Sequence, residues 1–205
     1  VIENHDQPRG ASLFIPEEDY GFYSLSALAT IIFCERGLPF LYQGQEIGMS
    51  NRQWKYDEFN DLETINQYQI ALKAGMSKEQ ALEIARHHSR DNARTPMQWS
   101  SEENAGFSKG KPWMPVNENY KVVNVAEEEK EYGSILNFYK RLIAFYKSEE
   151  YNEILTYGDF RPIYEKEDHI FAYSRSYGCQ KLVLICNFSS KEKDIELSED
   201  YENVI

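Results

Sequence analysis

The chain has 205 residues and a formal net charge of −12 at pH 7, which results from 34 acidic and 22 basic side chains. Its hydrophobic fraction of 41%, with 15 Tyr, 11 Phe and 3 Trp, is typical of a folded protein and argues against a disordered one. The acidic balance, without a basic stripe, argues against nucleic acid as a partner. The longest apolar runs are much shorter than the roughly 20 residues that a membrane-spanning helix needs, so no membrane partner is expected.

The first 42 residues have the pattern of a strand, a helix and a second strand. Residues 1–3 are typical of the end of a buried strand, and residues 20–36 form a helix pattern that is apolar on nearly all sides. Residues 38–42 are predicted to form a short buried strand. This order predicts an α/β fold with a parallel sheet.

A long polar segment, residues 43–132, follows the second predicted strand. Helices are predicted over residues 60–75 and after Ser77, which forms a capping box with Gln80. Residues 91–120 are rich in Asn, Gly and Pro and are predicted to be ordered loop. The aromatic side chains of this segment are expected to belong mainly to the core: Trp54, Trp99, Phe107 and Trp113.

The hydrophobic period changes near residue 150. An amphipathic helix is predicted over residues 133–147. Beyond it, residues 170–175 and 182–188 alternate with period 2 around a turn at Tyr177 and Gly178, which predicts a hairpin. Weaker strands are predicted over residues 154–157, 160–164 and 194–197. The sequence thus predicts two units, residues 1–150 and an antiparallel β domain over residues 151–205.

The three cysteines, Cys34, Cys179 and Cys186, are an odd number, and their spacing fits no zinc-binding pattern. Reduced thiols are therefore expected, which favours an intracellular, cytoplasmic location. The residues predict no metal site and no cofactor.

Four segments, in chain order, carry the strongest functional pattern: ENHDQPR (3–9), GLPFLYQGQEIGM (37–49), SRDNARTPMQW (89–99) and NAGFSKGKPW (104–113). Together they resemble the α-amylase family of glycoside hydrolases (family 13). Within it the chain is most similar to the group of oligo-1,6-glucosidases, glucan 1,6-α-glucosidases and trehalose-6-phosphate hydrolases.

The resemblance implies the C-terminal part of a TIM (β/α)₈ barrel, followed by part of an antiparallel β domain. Residues 1–3 would end barrel strand seven, residues 39–42 would form strand eight, and residues 133–147 would be the last barrel helix. Residues 43–132 would be a long insertion, and the β domain would be incomplete.

The resemblance also implies site residues. Asp6 matches the third family carboxylate, which holds the 2- and 3-hydroxyls of the sugar at the cleavage site as the transition state forms. His5 matches the neighbouring hydroxyl-binding imidazole, and Arg90 matches the arginine that closes the sugar pocket. The nucleophile Asp and the acid/base Glu of the family would lie on strands upstream of Val1. The chain by itself is therefore expected to be inactive.

Other polar residues of these segments receive weaker assignments. Arg94 is interpreted as a structural ion pair of its loop, and Arg9 as a structural anchor. The side chains that follow predicted strand eight are expected only to shape the site: Gln43, Gln45 and Glu46.

The predicted function is part of a retaining α-glucosidase that hydrolyses α-1,6 bonds of isomalto-oligosaccharides. Ala93 favours the 1,6-glucosidases over the trehalose-6-phosphate hydrolases, which often carry Ser there, but the latter activity or another α-glucosidase of the group stays an alternative. A second class of function is a non-catalytic binding or transporter-associated relative. Calcium could bind the full-length protein, and the isolated chain is expected to self-associate through exposed strand edges.

Overall fold

Seven α-helices and three β-strands are present in the part of the chain that the structure, a computed structural model, describes: residues 1–197 and residue 201. The helices are α1 (Gly10–Phe14), α2 (Phe22–Cys34), α3 (Leu62–Lys73), α4 (Lys78–His88), α5 (Val125–Glu128), α6 (Ile135–Lys147) and α7 (Asn152–Tyr157). The strands are β1 (Arg161–Pro162), β2 (Ile170–Tyr177) and β3 (Gln180–Asn187). Short 3-10 turns connect these elements, and one of them, Arg90–Arg94, carries site residues.

Helices α2 and α6 pack against each other, as expected of the two most apolar helix patterns in the sequence. Their contact surface buries Ala29 and Phe33 of α2 together with Ile135, Tyr139 and Leu142 of α6. The ring of Phe33 meets that of Tyr139 edge to face, with 6.0 Å between the centroids. Helix α6 of this pair also contacts the 3-10 turn Gln45–Ile47, which follows α2 in the chain.

Helices α3 and α4 form a second pair within the long polar segment. The predicted capping box of α4 is confirmed, since Ser77 Oγ accepts from Gln80 N at 3.2 Å and Gln80 Oε1 accepts from Ser77 N at 3.1 Å. The indole of Trp54 is buried in the core of this pair and stacks on Phe59. The core prediction is therefore confirmed for Trp54.

The three strands form one antiparallel sheet in the order β1-β2-β3. Strands β2 and β3 pair over their whole length, from Ile170 opposite Asn187 to Tyr177 opposite Gln180. The turn between them uses Gly178 at φ 58°. The predicted hairpin is thus confirmed. Its buried face packs on α7 and on the end of α2 at Cys34.

Neither of the two predicted parallel strands forms, although both segments lie within the described residues. Residues 1–4 and 38–42 are extended but have no strand pairing, and Val1, Leu38 and Phe40 are exposed. A parallel strand is stabilised by neighbouring strands and by helices on both faces. Two short segments, without further strands beside them, do not supply that environment.

Three weaker strand predictions also differ from the structure. Residues 154–157 belong to helix α7, where Ile154 and Leu155 are both buried, a spacing that a strand does not allow on one face. Only Arg161–Pro162 of the segment 160–164 forms a strand, and residues 194–197 form none.

Most of the predicted core aromatics of the loop are exposed. Trp99 and Phe107 are half exposed, and Trp113 is 79% exposed, so their assignment to the core is wrong. The backbone of residues 91–120 turns through repeated 3-10 segments and places these rings outward. None of the described helices has the length and apolar character needed to cross a membrane.

Candidate active site

The loop that follows the first extended segment presents a carboxylate and an imidazole to solvent. Asn4 Oδ1 accepts from the backbone N–H of Asp6 at 2.8 Å, which closes a tight local turn. His5 Nε2 lies 3.0 Å from Asp6 Oδ2, and the two side chains are 73% and 51% exposed. Both groups are therefore accessible to a ligand.

Two guanidinium groups approach the same carboxylate from the 3-10 turn Arg90–Arg94. Arg94 Nη2 donates to Asp6 Oδ1 at 3.0 Å, and Arg90 Nη1 lies 3.6 Å from the same oxygen. The structure thus brings together the three residues that the sequence identified, His5, Asp6 and Arg90, and adds Arg94 to them. Arg94 does form an ion pair, as predicted, but its partner is the candidate functional carboxylate.

Arg90 is oriented by a buried carboxylate that the sequence analysis did not identify. Arg90 Nη2 and Nε donate to Asp61 Oδ1 at 2.5 and 3.2 Å. Asp61 also caps helix α3 by accepting from the backbone N–H of Thr64 at 3.2 Å. Burial acts to raise the pKa of Asp61, but the hydrogen bonds from Arg90 and Thr64 outweigh it and the pKa is lowered. The same pairing raises the pKa of Arg90.

Arg9 is the predicted anchor, and the structure confirms that role. Its side chain is 1% exposed, and Nη1 donates to Gln43 O at 2.7 Å and to Glu3 Oε2 at 3.3 Å. Burial raises the pKa of the Glu3 carboxyl more than the charge of Arg9 lowers it. Gly44 lets the chain turn here, because its φ of 89° is strained for other residues and a Cβ would clash with Met49 Sδ and lie only 3.0 Å from Arg9 Nη1.

Asn92 joins the segments beneath the site. This fully buried side chain accepts from Arg52 N at 3.0 Å and from Trp54 Nε1 at 2.7 Å, and it donates to Arg86 O at 2.7 Å. Its backbone carbonyl accepts from Arg9 Nε at 3.2 Å. Because every amide hydrogen-bonding group is used, this residue fixes the turn that carries Arg90 and Arg94 relative to the Asp6 loop.

The residues after the second extended segment lie outside this cluster. Gln45 is buried and donates to Tyr139 Oη at 2.9 Å, whereas Glu46 accepts from Gly44 N at 2.7 Å. Gln43 contributes only its backbone carbonyl, to Arg9. These contacts hold the loop in place, and none of them is a contact with Asp6.

Within residues 1–197, no three or more His, Cys, Asp or Glu side chains converge as a metal ion would require. All three cysteines are free, and burial raises the pKa of the Cys34 thiol to about 12. What the cluster offers instead is an accessible carboxylate and imidazole backed by two guanidinium groups. Such a set suits the binding of hydroxyl groups.

Residues 1–158 match the model of the alpha-amylase catalytic domain, so the chain belongs to the alpha-amylase family. This confirms the resemblance and the fold class, the C-terminal part of a (β/α)₈ barrel with part of an antiparallel β domain. The chain belongs to this family although the two segments that match barrel strands, residues 1–3 and 39–42, form no strand pairs in this structure.

Individual relatives are similar along nearly the whole chain. The oligo-1,6-glucosidase of Bacillus cereus is 43% identical over 96% of the chain, which corresponds to 35% of that protein. The glucan 1,6-alpha-glucosidase of Streptococcus pneumoniae is 37% identical over 98% of the chain and 37% of its own length. The chain therefore spans about a third of the length of the curated relatives it matches.

Solved structures give the same result. The crystal structure of Bacillus licheniformis trehalose-6-phosphate hydrolase superposes with a TM-score of 0.89 and 40% identity, covering 98% of the chain and 36% of that enzyme. A trehalulose synthase structure matches with a TM-score of 0.84 and 36% identity, over 93% of the chain and 34% of its own. The roles of Asp6, His5 and Arg90 stay predictions.

Proposed function

We propose that the chain is part of a retaining α-glucosidase that hydrolyses α-1,6-glucosidic bonds of isomalto-oligosaccharides. The single observation that carries the proposal is the accessible Asp6 carboxylate, which lies between the His5 imidazole at 3.0 Å and the guanidinium groups of Arg94 and Arg90 at 3.0 and 3.6 Å. Relatives named oligo-1,6-glucosidase support the linkage.

In this proposal Asp6 and His5 hold sugar hydroxyls at the bond that is cut. Hydroxyls next to a developing oxocarbenium ion become better hydrogen-bond donors, so the carboxylate binds the transition state more tightly than the substrate. Arg90 closes the pocket against the end of the sugar, and Asp61 keeps its guanidinium in place. None of these groups acts as the nucleophile or as the acid.

Those two groups have no match in residues 1–205. The family resemblance implies that they belong to strands upstream, so we expect the 205-residue chain alone not to cleave isomaltose or an aryl α-glucoside. Turnover by the isolated chain would contradict this arrangement.

The test of the proposed role is Asp6→Asn in the full-length protein. We expect kcat on isomaltose to fall by at least about 100-fold with the fold unchanged, because the charge that matches the transition state is removed. The matched control is Asp168→Asn, an exposed aspartate beside the sheet, which should retain the wild-type rate. A near-wild-type rate for Asp6→Asn would refute the role.

Trehalose-6-phosphate hydrolysis is the second candidate activity. The similarity to the Bacillus licheniformis enzyme, with 40% identity and a TM-score of 0.89, supports it. Assays that compare isomaltose with trehalose 6-phosphate separate the two candidates. A non-catalytic relative is less favoured, because a binding protein without hydrolysis has little need for both His5 and Arg90 in contact with Asp6.

The remaining parts of the proposal concern location and association. A cytoplasmic enzyme acting on oligosaccharides fits the three free cysteines. Self-association of the isolated chain was expected from barrel strand edges, but neither of those strands forms. The outer edge of β3 has no strand beside it among the described residues, and on the other side β1 covers only two residues of β2, so both edges of the sheet are open to pairing.

A further inference from the structure

Arg94 binds two successive residues of the candidate site with one edge of its guanidinium group. Nε donates to the backbone carbonyl of His5 at 3.0 Å, and Nη2 donates to Asp6 Oδ1 at 3.0 Å. The planar guanidinium presents these two N–H groups in a fixed fork, so both bonds hold only when the loop and the carboxylate keep one orientation.

The remaining support of the Asp6 side chain is slight. Asn4 binds the backbone N–H of Asp6, not its carboxylate, and the imidazole of His5 is itself 73% exposed. Arg90 lies farther away, at 3.6 Å, and donates its strongest bonds to Asp61. Arg94 therefore makes the one direct guanidinium hydrogen bond to Asp6 among the described residues.

A buried carboxylate faces the other edge of the Arg94 guanidinium. Its Nη1 lies 3.8 Å from Asp91 Oδ1, a buried oxygen that has no hydrogen-bond partner within the described residues. The other oxygen of Asp91 accepts from Asn60 N at 2.7 Å and from Asp61 N at 2.9 Å. The charge of Asp91 thus faces Arg94 and is tied to the start of helix α3.

We propose that Arg94 is a positioning residue for Asp6. It occupies Oδ1 and fixes the peptide before the carboxylate, so that Oδ2 and the His5 imidazole face the sugar hydroxyls. The two arginines of the turn then have separate roles: Arg90 closes the sugar pocket, and Arg94 orients the Asp6 carboxylate. This inference rests on the proposed function and adds a residue to it.

The experiment compares Arg94→Met and Arg94→Lys in the full-length protein, with isomaltose as substrate. Misplacing the carboxylate should lower kcat about 10- to 100-fold for Arg94→Met while KM changes less than about threefold. Lysine keeps the charge but cannot form both bonds, so Arg94→Lys should recover only part of the rate. Arg161→Gln, a substitution of an exposed arginine in β1, is the matched control and should behave as wild type.

Two further readouts separate positioning from a general structural effect. Added guanidinium ion should restore part of the rate of Arg94→Ala, whereas sodium chloride at equal ionic strength should not. In a double mutant with Asp6→Asn, Arg94→Met should cause no further loss, because its effect passes through Asp6. Fully additive losses, or an unchanged kcat for both Arg94→Met and Arg94→Lys, would overturn the inference. Absence of turnover by the wild-type protein would instead overturn the proposed function.

Discussion

Two groups of arginines in this molecule differ in exposure and in the atoms they bind. Arg9 and Arg175 are 1% and 0% exposed, and most of their hydrogen bonds go to backbone carbonyls. Arg90 and Arg94 have side chains that are 33% and 30% exposed, and they bind carboxylates. Among these four arginines, the buried pair joins segments mainly through backbone carbonyls, whereas the pair open to solvent binds the carboxylates of the candidate site.

Arg175 is the buried arginine that binds the most backbone carbonyls among the four. It lies in β2 and donates to the carbonyls of Cys34, Leu155, Gly158 and Asp159 at 2.8, 3.1, 2.9 and 2.8 Å. Burial lowers the pKa of this guanidinium. These carbonyls lie at the ends of α2 and α7, where helices leave acceptors without partners. A single side chain thus ties the sheet to two helices.

The largest effect on stability is expected for Arg9→Met. It leaves the Glu3 carboxylate buried without its cation and the Gln43 carbonyl without a donor, which should cost about 3–5 kcal/mol of unfolding free energy. Urea denaturation of the chain measures this loss. The double mutant with Glu3→Gln should recover part of this loss, and a single mutant as stable as wild type would show that Arg9 does not join these segments.

Arg175→Met is expected to follow with a loss of about 2–4 kcal/mol. The substitution removes donors from four buried or partly buried carbonyls but leaves no unpaired charge behind. Urea denaturation again provides the measurement, with Arg161→Gln as a control of nearly unchanged stability. A loss below about 0.5 kcal/mol would show that water replaces these bonds.

Asp61→Ala should cost about 1–2 kcal/mol, because it removes the cap of α3 together with the partner of Arg90. Asp61→Asn, which can still cap the helix, should cost less. Since the pKa of Asp61 is lowered in the folded chain, its stabilising effect is full above the unfolded value near 3.8 and is lost as the pH falls through the folded value. If both variants lose the same free energy of unfolding at pH 7, the ion pair with Arg90, and not the helix cap, accounts for the loss.

Glu128 is a half-buried carboxyl that forms no ion pair among the described residues. Burial, with a smaller effect of the Glu46 charge, raises its pKa from 4.5 to about 7, although the backbone N–H of Leu136 donates to it at 3.0 Å. Its folded value lies above its unfolded value, so the protonated form stabilises the fold at low pH and that stability is lost as the pH rises from 4.5 to about 7.

The Glu128→Gln variant should therefore have the same free energy of unfolding as wild type near pH 4.5 and a higher one at pH 8. The difference should be on the order of 1 kcal/mol, because solvent screens a half-buried group. Thermal unfolding of both proteins across this pH range makes the comparison. A constant difference at all pH values would exclude the titration of Glu128 as its cause.

The smallest effect on stability is expected for Arg94→Met. Its ion pair with Asp6 is open to solvent, so the free energy of unfolding should change by less than about 1 kcal/mol. Calorimetry of this variant beside Arg9→Met tests the comparison directly. Similar losses in the two variants would show that the exposed arginine also serves the scaffold.

Much of the helical structure follows from the sequence. A long run of apolar residues locates α2, the apolar period of 3.6 locates α6, and the Ser77 capping box begins α4 where the structure has it. The hairpin β2-β3 is equally readable, because its two strands pair with each other across a short turn. The two parallel strands were not predictable in the same way. An apolar segment shows a tendency to form a buried strand, but whether it pairs depends on neighbouring strands that the segment itself does not reveal.

The site was predictable only in part. His5, Asp6 and Arg90 follow from the family resemblance, and the structure places them together. The bond between Asp61 and Arg90 joins residues 29 positions apart, and that between Asp6 and Arg94 joins residues 88 apart. No local pattern encodes such pairs. Hydrophobic periodicity of 2 or 3.6 residues likewise does not predict the burial of an aromatic side chain in a loop. Trp113 is exposed because the turns around it, and not its hydrophobicity, set the direction of its indole.

Asn92 limits how this site can be exchanged between enzymes. Its side chain and carbonyl bind Arg9, Arg52, Trp54 and Arg86, which lie in three separate stretches of the chain. A graft that moved only the turn Arg90–Arg94 into another barrel would leave those donors and acceptors without their partners. Transplantation would therefore require these three stretches to move together with the turn.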